Sequence, residues 1–453
     1  MKRSGPDVSS LGGKKQVRHA TEVRNGDAAV SFKRPLLIAL LAIPALLAGP
    51  AAAQIALPST PNLPLPLERG TLERLPGQVL DRALQAPAGL RDLIRRSDGA
   101  LQADPQGWPV VTGEVVAVGL SARGRAAALE AGFTILREDR LDALDLSVVV
   151  LSPPRRLRLD RAVERLSRLD PDAEITFNHV HGPAGVVVAA PTTVSPAPPL
   201  PAVQSGAALG LIDTGVNETH PALASSRIVQ QGFAGPARAG AHGTAVASLM
   251  VGRAGAFSGA APGRALLVAD IYGQDRAGGS ATVLARALAW MVEQRAGVVN
   301  VSLVGPRNAL IERAVASARA RGLTLVAAAG NDGPAAAPLF PASYEGVIGV
   351  AAVSGANRIL PESARGPQID LVAPGADMAA ANVSGGYVSV RGSSFAAPIV
   401  AGLIAREGSV QAVARTAQDL GARGPDTTFG GGLVGADLRV APAAVSARGR
   451  IAR

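Results

Sequence analysis

From Gly206 onward, short apolar runs alternate with helical stretches, and this alternation restricts the fold more than any other feature of the chain. Leu209–Asp213 is almost wholly apolar, as befits a strand covered on both faces of its sheet. His242–Val251 reads as a helix and Leu266–Asp270 as a strand. Ser280 is placed to cap a helix whose inner face carries Val283, Leu284, Ala287, Leu288, Met291 and Val292. Val298–Leu303 is the next strand, Ala309–Arg321 a helix stopped by Gly322, and Leu323–Ala329 another strand. Val347–Val353 and Ile369–Ala373 follow as strands before a helix that carries Ser394. Repeated βα units of this length predict an α/β fold, a doubly wound, mainly parallel sheet.

The preceding residues read differently. Within 109–181, Val110–Val118 alternates as a strand, and Ser121–Ala131 is an Ala-rich helix with Ser121 as N-cap and Gly132 as stop. Phe133–Glu138 and Leu144–Leu151 are strands, and Glu174–His181 closes the set. Between them Leu159–Leu169 is amphipathic, with Ala162, Val163, Leu166 and Leu169 on one face. The order βαββαβ predicts a small ferredoxin-like α+β sandwich. Residues 54–108 form a mostly extended lead-in with one short helix around Gly89 to Arg96. Residues 182–204, rich in Pro, Ala, Val and Thr and almost uncharged, read as an extended linker that packs no core. Residues 438–453 read as a basic tail.

At the amino terminus, Lys33 and Arg34 precede an apolar run of 13 residues, Leu36 to Ala48, and then an Ala51-x-Ala53 site. That is the layout of a signal peptide, with cleavage expected after Ala53 and a secreted or periplasmic bacterial product. Pro44 and the short run disfavour an uncleaved membrane anchor. The leader before the run is long, so translation is expected to begin near Val30. The net charge of +10 is spread out, with +5 in residues 1–34, −1 in 35–204 and +6 scattered over 205–453. With aromatics at only 3%, this reads as a solvated basic surface and not as a nucleic-acid interface. Cysteine is absent, which excludes disulfides and thiolate chemistry, and no His/Glu cluster has zinc spacing. His179 and His181 read as surface or pocket residues.

Three strings carry the chemistry: Ile-Asp213-Thr-Gly, His242-Gly-Thr and Gly-Ser-Ser394-Phe-Ala-Ala-Pro. Asp213 ends its strand on the carboxyl side, where function gathers in such sheets. A carboxylate there can hold His242 in one tautomer, and His242 can then deprotonate Ser394. Alone, each has a plainer reading as turn former, capping histidine and N-cap. His220 reads as loop structure, and Ser393 competes as nucleophile by position. Pro398 would fall in the first turn of a helix starting at Ser394, leaving the Ser394 N–H open to a developing oxyanion. Asn331, after a strand end of tiny residues, can offer its amide to the same oxyanion.

On these motifs, together with Ala-Ala-Gly-Asn331, the segment 205–437 resembles the catalytic domain of the subtilisin-like serine proteases, the subtilases. Residues 109–181 resemble that family's inhibitory pro-domain. The resemblance implies a secreted serine endopeptidase made as a self-processing zymogen, with Asp213, His242 and Ser394 as triad and Asn331 with the Ser394 N–H as oxyanion hole. It implies polypeptide substrates held by Gly278, Gly279 and Ser280 on one side and Ser302, Leu303 and Val304 on the other, with Gly330 nearby. It further implies the chain's own pro-domain as intramolecular inhibitor, Phe177–His181 lying product-like in the cleft, and self-cleavage in or near 182–204. Calcium is the cofactor the resemblance allows. Departures are Ala245 where the family often has His, Ser393 for Thr, and Val304 for a common Gly. Two other readings stay open, a non-catalytic subtilase-shaped scaffold and an esterase-type hydrolase. The second lacks the Gly-x-Ser-x-Gly elbow, since Ala396 stands at the second Gly.

Overall fold

Burial along the strands separates two kinds of sheet. In the computed structural model, which describes residue 86 and residues 88–184 and 208–448, Thr134–Leu141 alternates between exposed and partly buried positions. Leu209–Asp213, by contrast, is buried at every residue. Alternation marks a strand with one packed face, and continuous burial marks one covered on both.

The first unit runs α1 (Ala88–Arg96), β1 (Leu101–Ala103), β2 (Pro109–Val118), α2 (Ala122–Glu130), β3 (Thr134–Leu141), β4 (Leu146–Ser152), α3 (Leu159–Leu169) and β5 (Glu174–His179). Its strands lie in the order β3-β4-β2-β5, all antiparallel, which is the ferredoxin-like arrangement expected from βαββαβ. Ser121 does cap α2, its hydroxyl accepting the Gly124 N–H at 2.9 Å. Because side chains alternate along a strand, β2 serves two cores. Val115 and Ala117 pack with Ala128, Ala162 and Leu166 of this unit's own helices. Val116 and Val118 join a different cluster, with Ala281, Leu284, Leu310 and Ile311 of the second unit.

The lead-in is more structured than expected. The short helix is present as α1, and β1 pairs with the first residues of β2, Leu101 opposite Val111. Residues 182–184, assigned to a linker, also depart from expectation: Gly182–Pro183 form β6 and Ala184 is 5% exposed. Their pairing is with the second unit, a partner that local composition does not reveal. The signal segment and residues 185–204 lie outside the described residues.

The second unit contains β7 (Leu209–Asp213), β8 (Ile228–Gly232), α4 (Ala241–Val251), β9 (Arg253–Ala254), β10 (Phe257–Ser258), β11 (Leu266–Asp270), α5 (Ala281–Glu293) and β12 (Val298–Val301). After these come β13 (Leu303–Val304), α6 (Ala309–Ala320), β14 (Thr324–Ala328), β15 (Ile348–Val353), β16 (Leu371–Pro374), β17 (Met378–Ala381), β18 (Tyr387–Val390), α7 (Ser393–Glu407) and α8 (Val410–Ala414). Seven strands make one parallel sheet in the order β16-β15-β14-β12-β7-β11-β8. Edge strand β8 escaped sequence reading because its residues are only half buried or exposed, which weakens the apolar signal.

The chain enters the sheet at β7, fills one side of it with β8 and β11 and then crosses to β12 on the other, so the crevice beyond the carboxyl end of β7 is the expected site. Asp213 ends β7, Ser302 follows β12, and Asn331 lies just past β14. Helix α7 is buried at every residue from Ser393 to Ile404, which explains a sequence apolar on all sides. Leu211, fully buried at the middle of β7, supports this arrangement. Leu211→Ala should cost about 2–5 kcal/mol. Urea unfolding of full-length Ser394→Ala protein, with and without Leu211→Ala, measures it, and unchanged midpoints would refute the placement.

Candidate active site

Asp213 is 2% exposed at the end of β7, and the Thr214 N–H donates to its Oδ1 at 2.7 Å. His242 Nδ1 lies 2.8 Å from Asp213 Oδ2 and 2.9 Å from Oδ1. A carboxylate at Nδ1 keeps the proton on that nitrogen and leaves Nε2 as the base. The approach depends on missing side chains. A Cβ on Gly243 would lie 2.3 Å from the Thr214 carbonyl oxygen, and one on Gly240 would lie 2.2 Å from Thr214 Oγ1. The Gly243 N–H instead donates to Thr214 Oγ1 at 2.9 Å, which ties the start of α4 to the end of β7.

Ser394 is the second residue of α7. Its Oγ and His242 Nε2 are both buried, and neither makes a hydrogen bond. The next side chain, Phe395, packs on the imidazole with ring centroids 5.3 Å apart. The fold thus brings the three motifs together, with the Ser394–His242 hydrogen bond unformed. Ser393 is engaged elsewhere: its Oγ accepts the Gly330 N–H at 3.1 Å and its N–H donates to Asn331 Oδ1 at 2.9 Å.

One expectation needs correction. Helix α7 begins at Ser393, so Pro398 is its sixth residue and lies beyond the first turn. Proline has no N–H to give the carbonyl four residues back, here that of Ser394. The Ser302 hydroxyl donates to that carbonyl instead at 2.9 Å, and Asn300 Nδ2 donates to Ser302 Oγ at 2.8 Å.

The cleft is filled by the chain itself. Val180 bridges Ser280, and the His181 N–H donates to Gly279 O at 2.8 Å. On the other side Gly182 pairs with Val304 and Pro183 with Leu303, and the Ala184 N–H reaches Ser302 O at 3.2 Å. The Ala184 carbonyl accepts a hydrogen bond from Asn331 Nδ2. The segment in the cleft is therefore Val180–Ala184, not Phe177–His181 as expected. Phe177 to His179 are held in β5, where Asn308 Nδ2 donates to Phe177 O at 2.9 Å. Of the candidate substrate residues, Gly279, Ser280, Ser302, Leu303 and Val304 line this strand. Gly278 turns back on Asp275 O, and Gly330 supports Ser393.

The histidines are more buried than expected. His179 receives the Asn308 amide at Nδ1 (3.0 Å), so its Nε2–H points to Asp104 Oδ2 at 3.1 Å. His181 is fully buried and neither ring nitrogen is hydrogen-bonded. A Cβ on Gly305 would lie 2.4 Å from its ring, so a glycine makes the room. Burial pushes the His181 pKa down to about 3, with a contribution from His179. Tyr272 donates its hydroxyl to His181 O at 3.1 Å, and burial, followed by Asp213 and Asp270, raises that phenol well above its usual value. His220 is structural as expected: Nε2 meets Gly386 O at 2.8 Å and Nδ1 accepts the Ala222 N–H at 3.0 Å. Tyr272, Gly305 and Asn308 were missed, because nothing in their local sequence marks contact with residues more than ninety positions away.

Among the described residues no three His, Asp or Glu side chains converge on one point as a cation site.

A profile of the subtilase family matches residues 204–431. A thermophilic serine proteinase of Bacillus sp. (strain AK1) is 36% identical over 210 residues, 44% of this chain and 52% of that protein. Thermitase of Thermoactinomyces vulgaris is 32% identical over 208 residues, 44% of this chain and 74% of that protein. The chain thus spans about half the length of the first relative and three quarters of the second. Among solved structures, fervidolysin from Fervidobacterium pennivorans superposes with a TM-score of 0.59 at 19% identity, over 75% of this chain and 61% of that one, a likeness of fold. Since the profile spans the residues that build the parallel sheet and pair Asp213 with His242, the chain belongs to the subtilase family.

Proposed function

We propose that the chain is a secreted serine endopeptidase, made as a zymogen that cleaves its own Ala184–Gly185 bond. One observation carries this reading: Val180–Ala184 is added as a strand between both cleft edges, with the Ala184 carbonyl on the Asn331 amide. A peptide bound by strand addition is held by main-chain hydrogen bonds that any sequence can supply, which suits a polypeptide substrate. The name of the Bacillus relative, a serine proteinase, agrees with this reading. The apolar run Leu36 to Ala48 supports export.

In the proposed reaction Ser394 Oγ attacks the Ala184 carbonyl carbon while His242 Nε2 takes its proton, and Asp213 stabilises the resulting imidazolium. The negative oxygen is held by Asn331 Nδ2 and by the Ser394 N–H, which lies in the first turn of α7 where no intrahelical carbonyl claims it. His242 then protonates the Gly185 amine as the C–N bond breaks, leaving an acyl-enzyme at Ser394. Water, deprotonated by His242, releases the Ala184 carboxylate. The product strand stays seated, so the amino-terminal unit acts as an inhibitor.

Three measurements test this. Wild-type protein should yield a new amino terminus at Gly185 and, once the amino-terminal unit has been removed, react with an active-site fluorophosphonate at Ser394. Ser394→Ala protein should do neither, and its normal processing would hand the cleavage to another protease. Asn331→Ala should lower kcat about 10²–10³-fold, a magnitude carried over from a subtilisin. An unchanged kcat would remove Asn331 from the site. Finally, a histidine near 6.5 when unfolded and about 3 when seated binds fewer protons in the folded state. Its contribution is therefore complete above about pH 6.5 and is lost as pH falls from there toward about 3. Urea midpoints of full-length Ser394→Ala protein should drop between about pH 7 and about pH 4, and His181→Phe should flatten that drop. An equal drop in both would contradict the seating of His181.

A further inference from the structure

We propose that α1 is a strap that clamps the seated strand in the cleft, so that the inhibitory unit spans residues 86–184 and not only the ferredoxin-like sandwich. The inference rests on the proposed reading of Val180–Ala184 as a substrate-like strand, and adds an element outside the sandwich. Its first support is a steric cradle. Gly182 lies directly beneath α1: a Cβ built on it would be 2.5 Å from Leu90 Cδ2 and 3.5 Å from Leu93 Cδ1. Leu90 is only 4% exposed, and it shares a core cluster with Ala184, Val304 and Trp108. An amphipathic helix has thus laid Leu90 and Leu93 over the face of β6 that would otherwise meet solvent, while β13 holds its edge.

The strap is also anchored at its far end. The Leu101 N–H donates to Ser97 Oγ at 3.0 Å, and β1 then pairs with β2. Asp104, just past β1, takes the Trp108 N–H at 2.8 Å and meets His179 Nε2 at 3.1 Å. An ion pair of Asp98 with Arg276 reaches the loop leading to Gly279, but both partners are exposed and it adds little. The strand therefore has backbone pairing on two edges and apolar packing from α1 above. After cleavage, the seated carboxyl-terminal residues can leave only as fast as α1 lifts.

The test uses full-length Ser394→Ala protein, in which the strand stays covalently continuous, with Leu90→Asp added. Amide exchange is read at His181 and Ala184, whose N–H groups donate to Gly279 and Ser302. Leu90→Asp should speed both by about tenfold or more, while β12 amides keep their protection. Unchanged exchange at His181 and Ala184 would overturn the strap. Should β12 also lose protection, Gly182→Ala decides, since its methyl pushes on Leu90 from the other side. Faster exchange along α1 in that variant supports the clamp, and no change refutes it. Free exchange at His181 and Ala184 in Ser394→Ala protein itself would instead sink the seated-strand reading.

Discussion

The buried contact between Asp213 and His242 is the constraint around which the catalytic half is arranged. A carboxylate that is almost wholly out of water needs partners, and here it finds the Thr214 N–H and the His242 ring. Both oxygens lie within 2.9 Å of one imidazole nitrogen, so small shifts of β7 against α4 would break the contact. That demand explains the residues nearby. Gly240 and Gly243 leave room for Thr214, and the buried hydroxyls of the helix, Thr244 and Ser248, are spent on the Gly240 and Ala245 carbonyls.

The Ser394 end follows a complementary logic. Helix α7 is sunk in the core, and Pro398 opens a gap in its hydrogen-bond ladder at the Ser394 carbonyl. Ser302 closes that gap with its hydroxyl while its own carbonyl receives the Ala184 N–H. One residue therefore touches both the Ser394 carbonyl and the Val180–Ala184 strand, which links occupancy of the cleft to the placement of α7. Asn331 does the same from the other side, with Oδ1 on the Ser393 N–H and Nδ2 on the Ala184 carbonyl.

Autoinhibition, in the proposed zymogen, arises from layers of modest interactions. Main-chain pairing supplies affinity without side-chain demands, a buried neutral His181 fills the space left by Gly305, and α1 covers Gly182. The second face of β2 joins the sandwich to α5 and α6 through apolar contact. Gly182, Gly279 and Gly305 recur in this account because backbones and rings approach there more closely than a Cβ permits.

Much of this was legible in the chain. Continuous apolar runs announced a sheet covered on both faces, alternation in Val110–Val118 announced a strand, and the Asp213, His242, Ser394 and Asn331 motifs lay at strand ends and helix starts. These signals are local, since period and neighbour size depend on residues a few positions apart. The half-exposed edge strand β8, the strand character of Gly182–Pro183, and the roles of Tyr272, Asn308 and Leu90 were not legible. Each is decided by a partner distant in sequence, and a plain glycine or leucine carries no mark of the backbone that will lie against it. The sequence by itself determined which groups could do chemistry and which segments could be strands and helices. Only the tertiary structure decided which five residues occupy the cleft and what covers them, because that choice depends on steric fit between surfaces that meet only after folding.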